Sequence, residues 1–292
     1  MKSTLSLSSA PHATETHQIK DRRGTVSLWA KLAFVAPLGA LTVMLGGAAF
    51  LMARLALTPP KAVRLASYCT SLRGRSVNQR HNARLAALAL DGRVIAPGAV
   101  FSFNRAVKSW TVDGGYLKAP VSFDGELERA YGGGVCQASS TLYNAALLAG
   151  LPIIERHPHV FRPRYVAPGR DAAVAFPGID LRFRNPHQWP IRIRASARGN
   201  RLEMILTGAQ SPAARVEIAT DLLSTTRPAS LTRVVAHPFA ANRRAYSRTP
   251  GAIGYRVVTF RVRRAPDGQK RRERLSDDTY AAMNRIVLLR QN

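Results

Sequence analysis

The chain has 292 residues, of which 46% are hydrophobic and 21% are charged, so it is long enough for one sizeable domain and is not composed like a disordered protein. With 43 Lys and Arg against 17 Asp and Glu, its formal net charge of +26 indicates an affinity for polyanions. Arginines scattered over solvated faces would give the same charge, which therefore selects no partner by itself. Two cysteines exclude a disulfide framework but allow one bridge or one reactive thiol.

A charge-free segment runs from Leu32 to Ala53 and is long enough to cross a hydrocarbon core of about 30 Å as a helix. Basic residues precede it, the last of them Lys31, which places residues 1–31 in the cytoplasm. The prediction is a single-pass protein of the cytoplasmic membrane with an extracytoplasmic main domain, so nucleic acid is not expected as a partner. A cleaved signal peptide is the alternative, because residues 47–49 are small.

Residues 54–79, with prolines and scattered basic residues, are predicted to be a linker. Strong helix formers with an apolar face predict a helix from Asn82 to Leu90, which Asp91-Gly92 ends. From Val94 to Phe103, β-branched and aromatic residues lie on both sides of Pro97-Gly98. This pattern predicts two short strands joined by a turn.

A second helix is predicted after the glycines at 132–134, where Leu142, Ala145, Ala146 and Ala149 recur at helical spacing. Beyond it, alternating apolar and basic residues predict half-buried strands at Ile179–Phe183, Ile191–Ala195, 201–207 and 255–263.

The composition shifts to Pro, Arg and Thr from about residue 211. We therefore predict an α+β fold: one domain over residues 80–210 after the transmembrane helix at 32–53, with a small strand-rich C-terminal tail over 211–292.

Cys136 directly opens the second helix, after the glycine run. Glycine permits backbone angles and close approaches that other residues forbid, so the run can place a thiol at a helix N-terminus. The helix dipole and unpaired amides there favour thiolate over thiol. The same amides, together with the Gln137 side chain, would hold an oxyanion on a substrate carbonyl. The pattern predicts a nucleophile beside its oxyanion hole.

A catalytic thiolate needs a general base, and the segment 155–159 supplies two histidines shortly after that helix. His159 is the preferred base, because a proline follows His157 and restricts its backbone. Asp171 or Asp180 would orient the imidazole ring, and Asp171 is taken as the catalytic partner.

Two other interpretations of these residues stay open. Cys136 fits equally a buried small hydrophobe, or one half of a bridge to Cys69, in a noncatalytic domain. Cys136, His157 and His159 are also compatible with Zn²⁺, but no second Cys-x-x-Cys and no third histidine lies close by in the sequence. Neither a metal nor a cofactor is therefore expected.

Five ordered blocks extend over roughly Asn82 to Gln210: NARLAALALDGRVIAPGAVFSFN, DGGYLKAPV, YGGGVCQASSTLYNAALLAGL, IIERHPHVFRPRYVAPGRDAAVAF and IDLRFRN. Together they resemble the VanW-like family, proteins associated with the bacterial envelope and in some cases with glycopeptide-resistance gene clusters. The chain departs from the family pattern at Val160, where Ser is frequent, and at residues 138–140, where Val-Ser-Thr is more usual. These departures put substrate contacts in doubt more than the thiol.

The resemblance implies a VanW-like domain outside the cytoplasm that acts on or near peptidoglycan. It also implies Cys136, in the GGGVCQ motif, as the nucleophile of a cysteine-dependent L,D-transpeptidase or an amidohydrolase. Peptidoglycan, or another anionic envelope polymer, is then the expected partner. The alternative is a noncatalytic module that binds the wall or partner proteins and in which Cys136 is structural.

Overall fold

The computed structural model describes residues 62–123, 126–212, 214–235 and 245–290. Strands predominate, with 46% strand against 16% helix. The helices are α1 (Val77–Leu90), α2 (Phe103–Val107) and α3 (Val135–Leu148). The strands are β1 (Val63–Ser71), β2 (Val94–Ile95), β3 (Val100–Ser102), β4 (Lys118–Phe123), β5 (Glu126–Tyr131), β6 (Ile153–Glu155), β7 (Arg182–Arg184), β8 (Ile191–Arg198), β9 (Arg201–Gly208), β10 (Arg215–Thr226), β11 (Ser230–Val235), β12 (Ala245–Ala252), β13 (Gly254–Arg264), β14 (Lys270–Tyr280) and β15 (Met283–Arg290).

The two long helices pack on a four-stranded antiparallel sheet with the order β1-β9-β8-β2. Helix α3 contacts β1 and β9, whereas α1 contacts β8 and α3. Alternate residues of the central strands face the helices, so Ile191, Ile193, Leu202, Met204 and Leu206 are all fully buried. The basic residues between the two isoleucines and after them stay exposed, as the alternating pattern predicted.

Helix α1 begins earlier than the sequence pattern indicated, because Ser76 and Gln79 form a capping box. The Ser76 hydroxyl accepts from the Gln79 amide at 3.2 Å, and the Gln79 side chain accepts from the Ser76 amide at 3.1 Å. Strand β1 also lies inside the predicted linker. Both β1 and α1 contact α3.

The C-terminal strands form two three-stranded sheets. One is antiparallel, with the order β10-β13-β14. In the other, β15 pairs in parallel with β11 and antiparallel with β12. The described residues lie within the single compact unit that extends from Pro60 to Asn292.

The predicted fold class is therefore wrong. The chain is strand-rich rather than an α+β domain behind a transmembrane helix, and residues 215–290 hold two sheets rather than a small tail. The strand predicted at 255–263 is present as β13, with Val257 and Val258 buried, but the sequence pattern did not reveal the other strands that pair with it.

The predicted single-pass localisation in the cytoplasmic membrane, and the membrane as a partner, are also corrected. Across the described ranges, no helix combines the length and the apolar character that a membrane crossing requires. The Leu32 to Ala53 segment, on which those predictions rested, lies outside the described residues.

Candidate active site

The glycine run before α3 is required by close packing. Gly134 is the N-cap with φ of 111°, and an added Cβ there would lie 2.3 Å from the backbone oxygen of Gln79 in α1. An added Cβ at Gly132 would lie 2.1 Å from the Trp110 ring. Only glycine allows this path, which brings α3 to its start directly before Cys136.

Cys136 is half-buried at the start of a helix that is otherwise almost entirely buried. Within α3, only Cys136 and Leu148 are not buried. The thiol lies 3.5 Å from the carbonyl oxygen of Val174 and is a free cysteine, as is Cys69 on β1. Cys136 therefore presents an unbridged, half-buried thiol in the first turn of the helix.

The His159 side chain joins the thiol to Asp171. Its Nδ1 lies 2.6 Å from Asp171 Oδ2, and the same oxygen accepts the His159 backbone amide at 2.7 Å. The imidazole lies beside the Cys136 side chain, near enough for a thiolate and an imidazolium to attract each other. Because Nδ1 is held by the carboxylate, Nε2 is the nitrogen left for the sulfur. The three side chains thus form a connected cysteine, histidine and aspartate series.

The electrostatics of the series favour a thiolate and an imidazolium. Burial opposes charge on the histidine, but its hydrogen bonds to Asp171 and Cys136 outweigh this and raise the pKa of His159 to about 10. Burial would likewise raise the pKa of the Cys136 thiol, yet the hydrogen bond and charge of His159 lower it overall. For Asp171, burial is again outweighed, by His159 and Arg156, and its pKa falls to about 2.

The second carboxylate oxygen of Asp171 is held by Tyr280 of β14 and by Arg156, which follows β6. The Tyr280 hydroxyl donates to Asp171 Oδ1 at 2.5 Å, and Arg156 Nη2 donates to the same oxygen at 3.0 Å. Arg156 Nη1 donates to both carboxylate oxygens of Asp278, at 2.6 and 2.7 Å. Both aspartates and the arginine are at least 95% buried, so this buried ion triad links the histidine segment to the C-terminal strands.

Two serines of α3 fasten the segment that carries Asp171. The Ser139 hydroxyl donates to the carbonyl oxygen of Ala172 at 2.6 Å, and the Ser140 hydroxyl accepts from the Ala172 amide at 2.9 Å. Ser140 also donates to the Cys136 carbonyl at 2.7 Å. These bonds fix the spacing between the thiol and the carboxylate.

The other predicted site residues lie elsewhere. The Gln137 side chain is buried and donates to Thr70 Oγ1 and the Ser71 carbonyl of β1, at 3.0 and 2.9 Å. His157 is exposed and contacts Glu155. Asp180 accepts from Ser102 and from the Asn104 amide, so it caps α2.

No group of three metal-ligating side chains occurs in the part of the chain that the structure describes. The zinc interpretation of Cys136, His157 and His159 therefore finds no geometric support there.

Sequence reasoning missed Arg156, Asp278 and Tyr280. Arg156 stands between the two noted histidine positions and the helix, where its charge gave a weak signal. Asp278 and Tyr280 lie more than a hundred residues downstream, in the C-terminal stretch where the sequence singled out no site residue. A contact between residues so far apart in the chain leaves no local pattern in the sequence from which it could be predicted.

Comparisons with known proteins agree with the sequence blocks. The family model described as VanW like protein matches residues 78–207. The Bacillus subtilis protein YoaR is 44% identical over 143 residues, which cover 49% of this chain and 46% of the relative. The Enterococcus faecalis vancomycin B-type resistance protein VanW is 37% identical over 114 residues, covering 37% and 41%. The match thus spans less than half the length of either relative.

Among solved structures, the G5 domain of an IgA1 protease is 18% identical and covers 27% of this chain and 92% of its own, with a TM-score of 0.18. This comparison carries no functional argument.

Proposed function

Since the match over residues 78–207 makes the chain a VanW-like family protein, we propose that it is a cysteine-dependent acyl transferase of the cell envelope acting on peptidoglycan stem peptides. The observation that carries the proposal is the placement of the Cys136 thiol beside the His159 imidazole, which Asp171 holds through Nδ1. The resistance named for the E. faecalis relative supports a wall substrate, and the net charge of +26 supports attraction to an anionic wall.

In the proposed reaction, the Cys136 thiolate attacks a peptide carbonyl carbon and forms an S–C bond. The C–N bond then breaks, and the leaving amine takes the proton that the His159 imidazolium holds. An incoming amine then attacks the thioester carbonyl carbon and gives its proton back to His159. The S–C bond breaks, which releases the Cys136 thiolate and leaves a new amide. Water in the same position gives hydrolysis. Asp171 holds the ring and stabilises the imidazolium throughout.

The oxyanion that develops on the attacked carbonyl requires a free donor near the sulfur. The amides of Val135 and Gln137 already donate to Gly132 and Gly134. Within the described ranges, no backbone or side-chain acceptor takes a hydrogen bond from the Cys136 amide. Since the Gln137 side chain is engaged by β1, we assign the oxyanion to the Cys136 amide at the positive end of α3.

A covalent acyl-enzyme tests the proposal directly. Residues 54–292 are incubated with purified stem peptides and analysed by intact-protein mass spectrometry. We expect a mass increase equal to the acyl part of the peptide, located on Cys136 and absent from Cys136→Ala. If wild type carries no adduct and wall material keeps an unchanged muropeptide pattern, the noncatalytic wall-binding module becomes the better function.

The ionisation of the thiol gives a second prediction. Because the pKa of Cys136 is lowered by His159, alkylation by iodoacetamide should stay fast well below the pKa of a free cysteine, about 8.5. In His159→Ala the imidazolium is lost while burial still raises the thiol pKa, so the rate at pH 7 should fall by at least about tenfold.

The measurement is the alkylation rate between about pH 5 and 9 in a Cys69→Ala background, which leaves a single thiol. Equal pH profiles for the two proteins would contradict the thiolate and imidazolium pair.

A further inference from the structure

The segment from His159 to Tyr165 arches over the start of α3. The His159 ring lies beside the Cys136 side chain, and the Tyr165 hydroxyl lies 3.5 Å from Ser140 Oγ, one turn farther along the helix. The middle of the segment is Arg162, three residues from either end. Because an extended chain advances at most about 3.6 Å per residue, the Arg162 Cα lies within about 11 Å of the Cα atoms of both His159 and Tyr165.

A cavity of about 60 Å³ adjoins the middle of this segment. Its walls include Phe161, Arg162 and Arg164 on one side and Ile253, Tyr255 and Ala281 on the other. The Ala281 amide donates to the Val160 carbonyl at 2.8 Å and so holds the two walls together. The volume accommodates a small polar group such as a carboxylate.

The cavity contains a positive side chain that lacks an acceptor. The Arg162 guanidinium carbon lies 5.4 Å from the centre of the Tyr255 ring, and its Nε is buried without a hydrogen-bond partner. In the ranges given above, neither Arg162 nor Arg164 makes an ion pair with an acidic residue. A buried donor without an acceptor is costly, and a charged one more so, which indicates that a ligand supplies the acceptor.

We propose that this cavity is a carboxylate subsite, in which Arg162 and Arg164 bind a free carboxylate of the substrate peptide close to the bond that Cys136 attacks. The inference rests on the proposed acyl transfer and adds a substrate class to it: peptides with a free carboxylate near the scissile bond. Guanidinium groups suit this role because their planar forks match a carboxylate. A peptide amide of the same size leaves the partly buried Arg162 guanidinium without a counterion and binds less well.

Two affinity labels of equal length, one with a carboxylate and one with an amide, test this preference without requiring any turnover. Bromoacetyl-alanine carries a free carboxylate, whereas bromoacetyl-alaninamide does not, and both alkylate a thiol with loss of bromide. In Cys69→Ala protein we expect the acid to label Cys136 about tenfold faster than the amide, which corresponds to one charge-assisted contact. Arg162→Gln and Arg164→Gln should each bring the ratio of the two rates close to one.

The matched control is Arg271→Gln. Arg271 is exposed on β14, which pairs with β13, and lies at the end of this strand pair that is far from Tyr255 and the cavity. Nine residues separate it from Tyr280, or about 30 Å along an extended strand. This variant should keep the wild-type ratio, which excludes attraction by the overall positive charge. Iodoacetamide should label all variants at the wild-type rate, which shows that the thiol and the fold are intact.

A wild-type ratio of one or less overturns the subsite, and so does an equal loss of preference in Arg271→Gln and Arg162→Gln. The proposed function fails separately. If stem peptides give no acyl-enzyme while the labels keep their preference, the carboxylate subsite stands and the transferase does not.

Discussion

Alanine at Cys136 or at His159 is expected to lower kcat/KM for acyl transfer by at least about a thousandfold, with the double variant hardly slower than either single one. Residues that act as one unit do not contribute additively, because losing the base leaves a thiol without its proton acceptor and losing the thiol leaves nothing to activate. The measurement is the rate of product formation from stem peptides for the wild type, both single variants and the double variant.

Two controls make this result interpretable. Cys69→Ala should keep full activity, because Cys69 lies on β1 as a free thiol and is not bonded to Cys136. Thermal unfolding of Cys136→Ala and His159→Ala must stay near that of wild type, so that lost activity reports on chemistry. Independent, multiplying effects of the two substitutions would contradict a shared thiolate and imidazolium unit.

The largest loss of stability is expected for Arg156→Met, which leaves the buried carboxylates of Asp171 and Asp278 without their cation. Breaking a buried ion pair from one side costs about 3–5 kcal/mol. The variant should therefore unfold roughly 10 °C lower than wild type, at about 2–4 °C per kcal/mol for a protein of this size. Thermal and denaturant unfolding measure the effect.

The matched control is Arg182→Met. Arg182 is exposed, and its Nη1 lies 3.4 Å from Glu155, a surface pair worth only about 0–1 kcal/mol. Adding Asp278→Asn to Arg156→Met should recover part of the loss, because one uncompensated buried charge is removed. Equal unfolding temperatures for Arg156→Met and Arg182→Met would show that the buried ion triad does not stabilise the contact between the histidine segment and β14.

Several strands of the domain could be predicted from the sequence, and so could the position of Cys136 at a helix start. The alternation of apolar and basic residues predicted β8 and β9 within a few residues, since side chains on a strand point alternately to its two faces. The turn at Pro97-Gly98 was predicted in the same way. The size of the C-terminal sheets was not, because composition alone does not reveal pairing between distant strands.

The sequence by itself determined that Cys136 opens a helix, because a glycine run followed by apolar residues at helical spacing is a local property of the chain. Only the tertiary structure decided which carboxylate serves His159 and what holds it. Asp171 and Asp180 are equivalent by position, yet Ser140 and β14 bring Asp171 to the imidazole while α2 takes up Asp180. The reason is physical: helix starts depend on neighbouring backbone angles, whereas the Asp171 to Tyr280 contact spans 109 residues and exists only once the sheets have formed.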